Sequence, residues 1–309
     1  MKTVSELTQA YKEKLYPHLQ ILEDERKKIT QNLYVIFVPI MIGAVWITIA
    51  VKHPIGIFLG LIVGGAVTYF LTREYRINFK VKIVAKIIEF IDPDFIYIPN
   101  NRISEDKFVQ SKLFGRFNRY RGDDYVKGKV GDTEIEFSEL HVAYHTSNGK
   151  NSHTKPVFDG LFVIAEFNKN FKGKTIVLPD KAEKMFGGLG NFFQKANWMR
   201  GDLVKLEDTE FEKLFVVYSD DQIEARYILS TSFMQRIKDF RKKANKKIYI
   251  SFVDTKIFVG IRYRKNLFEP NVFKTILDIK PIIDYYRDLR LAVDIIEDLK
   301  LNVRIWSKE

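Results

Sequence analysis

His141 and His145 stand four apart in a run of alternating polar and apolar residues, which puts both imidazoles on one face of a strand; His153 follows in a polar stretch. Neutral imidazoles are common metal ligands. No Asp or Glu is fixed among these three by spacing, so unrelated surface histidines are the simpler expectation. Carboxylates come in pairs, Asp123-Asp124, Glu134 with Glu136, and Asp220-Asp221, the supply that general acid and base catalysis needs. Each pair also has an ordinary use: a loop, the solvent side of a strand, or the first turn of a helix, where the dipole favours anions. No HExxH, nucleophile elbow or phosphate-loop ending is present. Gly187-Gly188-Leu189-Gly190 lacks the Lys-Ser/Thr that would hold a nucleotide and reads as a flexible connector. No catalytic, cofactor-binding or metal-ligating residue is assigned.

The strongest charged feature is basic. Arg236, Lys238, Arg241, Lys242, Lys243, Lys246 and Lys247 are seven cations opposed only by Asp239 in that window. Near an anionic leaflet each is worth about 1 kcal/mol, an attraction that salt weakens. The plain alternative is a solvated helix end, where Lys and Arg complement the dipole. Phe and Tyr fall mostly in strand patterns that read as core, which argues against nucleic-acid binding.

The elements around these residues begin with two apolar runs that carry no Lys, Arg, Asp or Glu, Leu33 to Val51 and Ile55 to Leu71. At 1.5 Å per residue they are roughly 28 and 25 Å long, close to the ~30 Å of a bilayer core. The first holds eleven Leu, Ile, Val or Phe residues, so its insertion is favourable by about 3 to 7 kcal/mol. Only Lys52, His53 and Pro54 separate the runs, so two spans must return antiparallel. Arg26, Lys27 and Lys28 precede them, and Arg73, Arg76, Lys80, Lys82 and Lys86 follow. By the positive-inside rule both termini are then cytoplasmic. Gly56, Gly60 and Gly64 lie on one face of the second span, where another helix can approach closely. That helix is either the first span or a second copy of the chain, which would give a homo-oligomer. Thr48, Thr68 and Tyr69 offer polar groups within the spans but no ionisable chain that could line a pore alone, so a pore would have to come from oligomers.

Residues 1–31 predict an amphipathic helix opened by a Thr3-to-Glu6 capping box, with Leu7, Tyr11, Leu15, Leu19 and Leu22 on one stripe. The stripe has three possible seats, the lipid headgroups, the cytosolic domain and a second copy of the chain, of which docking on the domain is the commonest for such a stripe; Pro17 is expected to bend or split the helix. Residues 32–72 are the hairpin, 73–119 a juxtamembrane helical connector, and 120–309 a cytosolic domain. In that domain strands are expected at Tyr125 to Val130, Thr133 to Tyr144, Phe158 to Phe167 and Thr175 to Leu178, with a mobile loop from Thr146 to Lys155. Further on, a hairpin spans Ile248 to Arg262, and helices run from Ser230 to Ala244 and from Pro281 to Lys300. Strands and helices without regular βα alternation predict an α+β fold with a mixed, mainly antiparallel sheet. Cysteine is absent, which removes disulfides and thiolate chemistry; the formal charge of +11 favours anionic partners.

The stretch from Phe158 to Asp180 (FDGLFVIAEFNKNFKGKTIVLPD) and that from Phe215 to Leu229 resemble an uncharacterised family of bacterial inner-membrane proteins, a domain-of-unknown-function family. Its members have paired N-terminal spans and a soluble α+β region. The likeness covers roughly Tyr120 to Phe268 plus the preceding hairpin. It implies a bacterial inner membrane and a fold, but no reaction. The expected function is that of a membrane-anchored cytosolic binding or scaffold protein, engaging the bilayer, anionic lipid headgroups or a protein partner. The alternative is a membrane-bound hydrolase or transferase built on the acidic pairs or the histidines.

Overall fold

The computed structural model describes residues 3–301 apart from 150, 168, 181–200 and 264, so Gly187 to Gly190 lies outside the described residues. The chain divides into two compact units, Met1–Pro93 with Phe268–Arg287, and Asp94–Leu267 with Asp288–Glu309.

The first unit is built on helices α1 (Val4–Val51) and α2 (Ile55–Ile91), both long and apolar enough to cross a membrane. The Thr3 hydroxyl accepts from the Glu6 N–H and the Glu6 carboxylate accepts from the Thr3 N–H, closing the expected capping box. Pro17 does not split α1. A π-turn over Tyr11–Leu15 precedes it, and the wider turn absorbs a ring that would strike the carbonyl four residues back. Lys52 ends α1 in the left-handed region and Pro54 caps α2, so the reversal takes three residues. Only 6% and 22% of the most apolar stretch of each helix is buried, and Trp46 and Phe70 are each 70% exposed. A core helix of a water-soluble domain would bury that face.

Beyond the apolar stretches, α1 and α2 bury polar groups that the segment from Phe268 to Asp278 satisfies. Leu7, Tyr11, Leu15, Leu19 and Leu22 are all buried, and the Tyr11 hydroxyl donates to the Leu277 carbonyl at 2.7 Å. Glu23, 3% exposed, receives Arg26 through Nε (2.9 Å) and NH2 (2.8 Å) and accepts the Ile276 N–H at 3.1 Å. Burial alone would raise its pKa; the guanidinium and the amide outweigh that and hold it below the usual range. Arg26 also donates to the Val272 carbonyl, and Lys80 pairs with Glu269 at 3.1 Å.

Among the described residues the second unit holds one nine-stranded sheet of order β1-β2-β3-β4-β9-β8-β5-β7-β6, every pair antiparallel. The strands are β1 (Ile96–Ile98), β2 (Arg119–Val130), β3 (Thr133–Ser147), β4 (Ser152–Glu166), β5 (Thr175–Pro179), β6 (Asp202–Val204), β7 (Phe215–Ser219), β8 (Ile248–Val253) and β9 (Lys256–Arg262). Helices α3 (Glu105–Gln110), α4 (Thr209–Glu212), α5 (Gln222–Ile228) and α6 (Thr231–Ala244) join them, and α7 (Ile279–Asp298) begins in the first unit and ends in the second. The arrangement is the α+β class expected. Phe108 of α3 sits at the centre of the core with Phe114, Phe158, Phe162 and Tyr249. One expectation is too broad: the loop from Thr146 to Lys155 is mostly strand, because β3 runs on to Ser147 and β4 starts at Ser152, pairing Thr146 with His153 and Ser147 with Ser152. Main-chain bonds are indifferent to side-chain polarity when both faces meet water, so the apolar alternation used to find strands is silent there.

Candidate functional site

Helix α6 sorts its residues by phase. Phe233, Met234, Ile237, Phe240 and Ala244 are buried, while Gln235, Lys238, Asp239 and Lys242 recur at spacings of three and four on a second face. Asn245 ends the helix in the left-handed region and releases Lys246 and Lys247 into β8. The β8–β9 hairpin pairs Ile248 with Ile261, and the Arg262 N–H donates to the Lys247 carbonyl at 3.0 Å, which sets the two basic ends side by side. Next across the sheet, Gly160 pairs with Arg262 and Asp159 with His141. Gly160, at φ +146°, lets β4 approach so closely that a Cβ there would strike the Ile261 carbonyl and the Tyr263 N–H.

These elements enclose a cleft of ≈ 1480 Å³ lined by eight Lys or Arg residues, His141 and three carboxylates. Five of the seven basic residues read from the sequence reach it: Lys238, Arg241, Lys242, Lys246 and Lys247. Arg236 and Lys243 do not. They lie seven apart on the other flank of α6, and Lys243 instead pairs with Asp294 (2.8 Å) and Asp298 (2.7 Å) of α7. Lys213, Arg262 and Lys265 also line the cleft and were not singled out in the sequence. Arg262 was legible, because a two-residue turn at Asp254-Thr255 already implies that Lys247 and Arg262 meet.

The cations are unequally engaged. Lys238 pairs with Asp208 at 2.7 Å, and Asp208 caps α4 by accepting from Glu210 and Phe211. The Arg241 guanidinium lies 5.2 Å from the Phe215 ring and the Lys246 ammonium 4.9 Å from that of Tyr263. Among the described residues Lys213, Lys242 and Lys265 are exposed and carry no ion pair.

At the cleft's edge His141 stands between Asp159 (3.3 Å from Nδ1) and Glu139 (3.2 Å from Nε2). Hydrogen bonds to Asp159 and then to Glu139 push its pKa up to about 10, so the imidazole is a cation at neutral pH. Glu139, 1% exposed, accepts the Leu267 N–H on both oxygens at 2.9 Å; burial pushes its carboxyl up against the pull of that amide and of His141.

Of the other chemical groupings, one acidic cluster forms and the rest stay apart. His145 bonds Thr154 at 2.9 Å rather than joining His141. Asp123, Asp124 and Glu139 come together at the irregularity between Asp123 and Val126 in β2, where Tyr97 donates to Asp124 and the Leu267 amide engages Glu139. Glu136 takes Lys107 at 2.6 Å and the Tyr125 hydroxyl at 2.7 Å; Glu134 lies 3.6 Å from Lys129. Asp220 pairs with Lys174 and Asp221 caps α5.

In the first unit Gly56, Gly60 and Gly64 face α1. A Cβ on Gly56 would strike the Ala44 carbonyl, one on Gly60 would lie 2.6 Å from Ala44 Cβ, and one on Gly64 2.5 Å from Phe37 Cε2. The Thr48 hydroxyl donates to Ala44 and accepts the Ile57 N–H, and that of Thr68 donates to Gly64.

Residues 156–301 match the model of a family described as "Protein of unknown function (DUF3137)", so the resemblance is indeed to a domain of unknown function. No curated protein matches the chain. Among solved structures, the crystal structure of the mycobacterial trehalose monomycolate transport factor A, TtfA, is similar at 11% identity with a TM-score of 0.37, over 67% of this chain and 88% of that one.

Proposed function

We propose that this chain is a membrane-anchored binding protein. In this reading α1 and α2 cross a bacterial inner membrane as a hairpin, both termini lie in the cytoplasm, and the second unit engages an anionic partner, a lipid headgroup surface or an acidic protein, through its basic cleft. The observation that carries the reading is the excess of eight Lys or Arg residues over three carboxylates in one concavity of a chain that also exposes two apolar helices. Such an excess repels itself, and an anion entering the cleft relieves that repulsion. His145 stays apart from His141, Glu134, Glu136 and Asp220-Asp221 are engaged separately, and in the one acidic cluster, Asp123, Asp124 and Glu139, Tyr97 donates to Asp124 and the Leu267 amide to Glu139. This counts against the hydrolase or transferase alternative, with its need for an acid and a base converging on one reacting atom.

The test is hydrogen exchange of the full chain reconstituted in nanodiscs. Amides of α6 and of the turn into β8 should exchange more slowly in phosphatidylglycerol discs than in phosphatidylcholine discs. The difference should vanish at high salt and in the double variant Arg241→Glu with Lys242→Glu. Equal exchange in both lipids would retire the lipid partner, leaving the acidic protein to be sought by pull-down from detergent.

A further inference from the structure

We infer that the ligand of the basic cleft is a group carrying two or more phosphates, held as a discrete guest; this rests on the anionic-partner reading above. A flat basic face would serve electrostatic adhesion to a surface. Here the cations converge from separate elements: Lys213 after α4, Arg241 and Lys242 on α6, Arg262 at the end of β9 and Lys265 beyond it. The volume of ≈ 1480 Å³ exceeds the ~300–1000 Å³ of an ordinary small-molecule pocket, which leaves room for more than one phosphate with its water.

The lining selects charge over shape. Its apolar side chains are Leu214 and Tyr263. The Tyr263 ring has the Lys246 ammonium 4.9 Å from its centroid, and its hydroxyl donates to Asp288 at 2.9 Å. Two apolar side chains are a poor seat for an acyl chain, and the Lys246 ammonium takes the Tyr263 ring from a nucleobase. Asp159 is paired with His141 and Glu210 with Lys238 at 3.6 Å, and with Asp239 counted as well three carboxylates face eight Lys or Arg residues, so the uncompensated charge is cationic. The Arg241 guanidinium fork suits phosphate oxygens, and Asn245 and Asn266 add amide donors among the lining residues. One carboxylate would answer a small part of this charge. Linked phosphates answer most of it.

Two sources share this chemistry, free polyphosphate and the head of a phospholipid with two phosphates, and titration calorimetry separates them. Sodium tripolyphosphate is titrated into the full chain in phosphatidylcholine nanodiscs. Saturable binding of one ligand per chain is expected, weakened about tenfold or more by Lys242→Glu with Lys265→Glu and unmoved by Lys155→Glu, an exposed control that does not line the cleft. Binding that never saturates, or that Lys155→Glu weakens as much, overturns the inference. In discs containing cardiolipin, a lower apparent affinity for tripolyphosphate than in phosphatidylglycerol discs of equal charge identifies the lipid head as the occupant; equal affinity in the two identifies the free ligand. Heat-silent tripolyphosphate with lipid-dependent exchange of α6 retained defeats the phosphate guest and spares the anionic-surface reading. Silence in both experiments defeats both.

Discussion

His141 illustrates how a single ring can tie stability to pH. Asp159 and Glu139 hold its proton from opposite nitrogens, so the folded chain keeps a charge that the unfolded chain releases near 6.5. The sign follows from the excess of protons bound by the folded state. The stabilisation is complete below pH 6.5 and is lost as pH climbs through about 10. Water reaches the ring, whose side chain is 33% exposed, so the contribution is discounted to about 2 kcal/mol. Replacing His141 by Gln should therefore lower the urea midpoint of the second unit most near pH 6 and hardly at all near pH 10. A constant difference across that range would show that the ring acts by packing alone.

At the level of elements, the glycine ridge of α2 is where a small change should act through backbone approach. Gly60→Val places a branched side chain where Ala44 already sits, and overpacking of this kind costs about 1–3 kcal/mol. Gly65, one position from Gly64 and with nothing within 4 Å of its would-be Cβ, should accept Ala with little change. Thermal unfolding in detergent checks the pair; equal effects would mean that the α1–α2 contact is not made through this ridge.

The same elements show what was legible beforehand. Helices and strands that bury one face announce themselves through apolar period, so the two long helices, the β8–β9 hairpin and α6 were readable to within a few residues. The far ends of β3 and β4 were not, because strands wetted on both faces have no apolar period to read. The cleft was half legible. Five of its cations share one stretch of sequence, but the sorting of Arg236 and Lys243 to another flank required the phase of α6. His141 and Asp159 arrive only through the register of β3 with β4 and of β4 with β9, which sets residues more than a hundred positions upstream beside Arg262 and depends on a close approach at Gly160.

For the whole molecule, the proposed role requires that α1 and α2 lie in lipid with the rest of the chain on the basic, cytoplasmic side. Both helices expose most of their apolar stretch, as a lipid-facing surface would, and the Lys and Arg of their flanks favour one direction of insertion. The absence of cysteine makes the direct measurement clean. Single substitutions His53→Cys, Lys12→Cys and Lys155→Cys are each probed in intact spheroplasts with a membrane-impermeant maleimide. The account predicts labelling at position 53 from outside, and at positions 12 and 155 only after lysis. Labelling of Lys12→Cys or Lys155→Cys in intact spheroplasts, or recovery of the full chain in the soluble fraction, would contradict it.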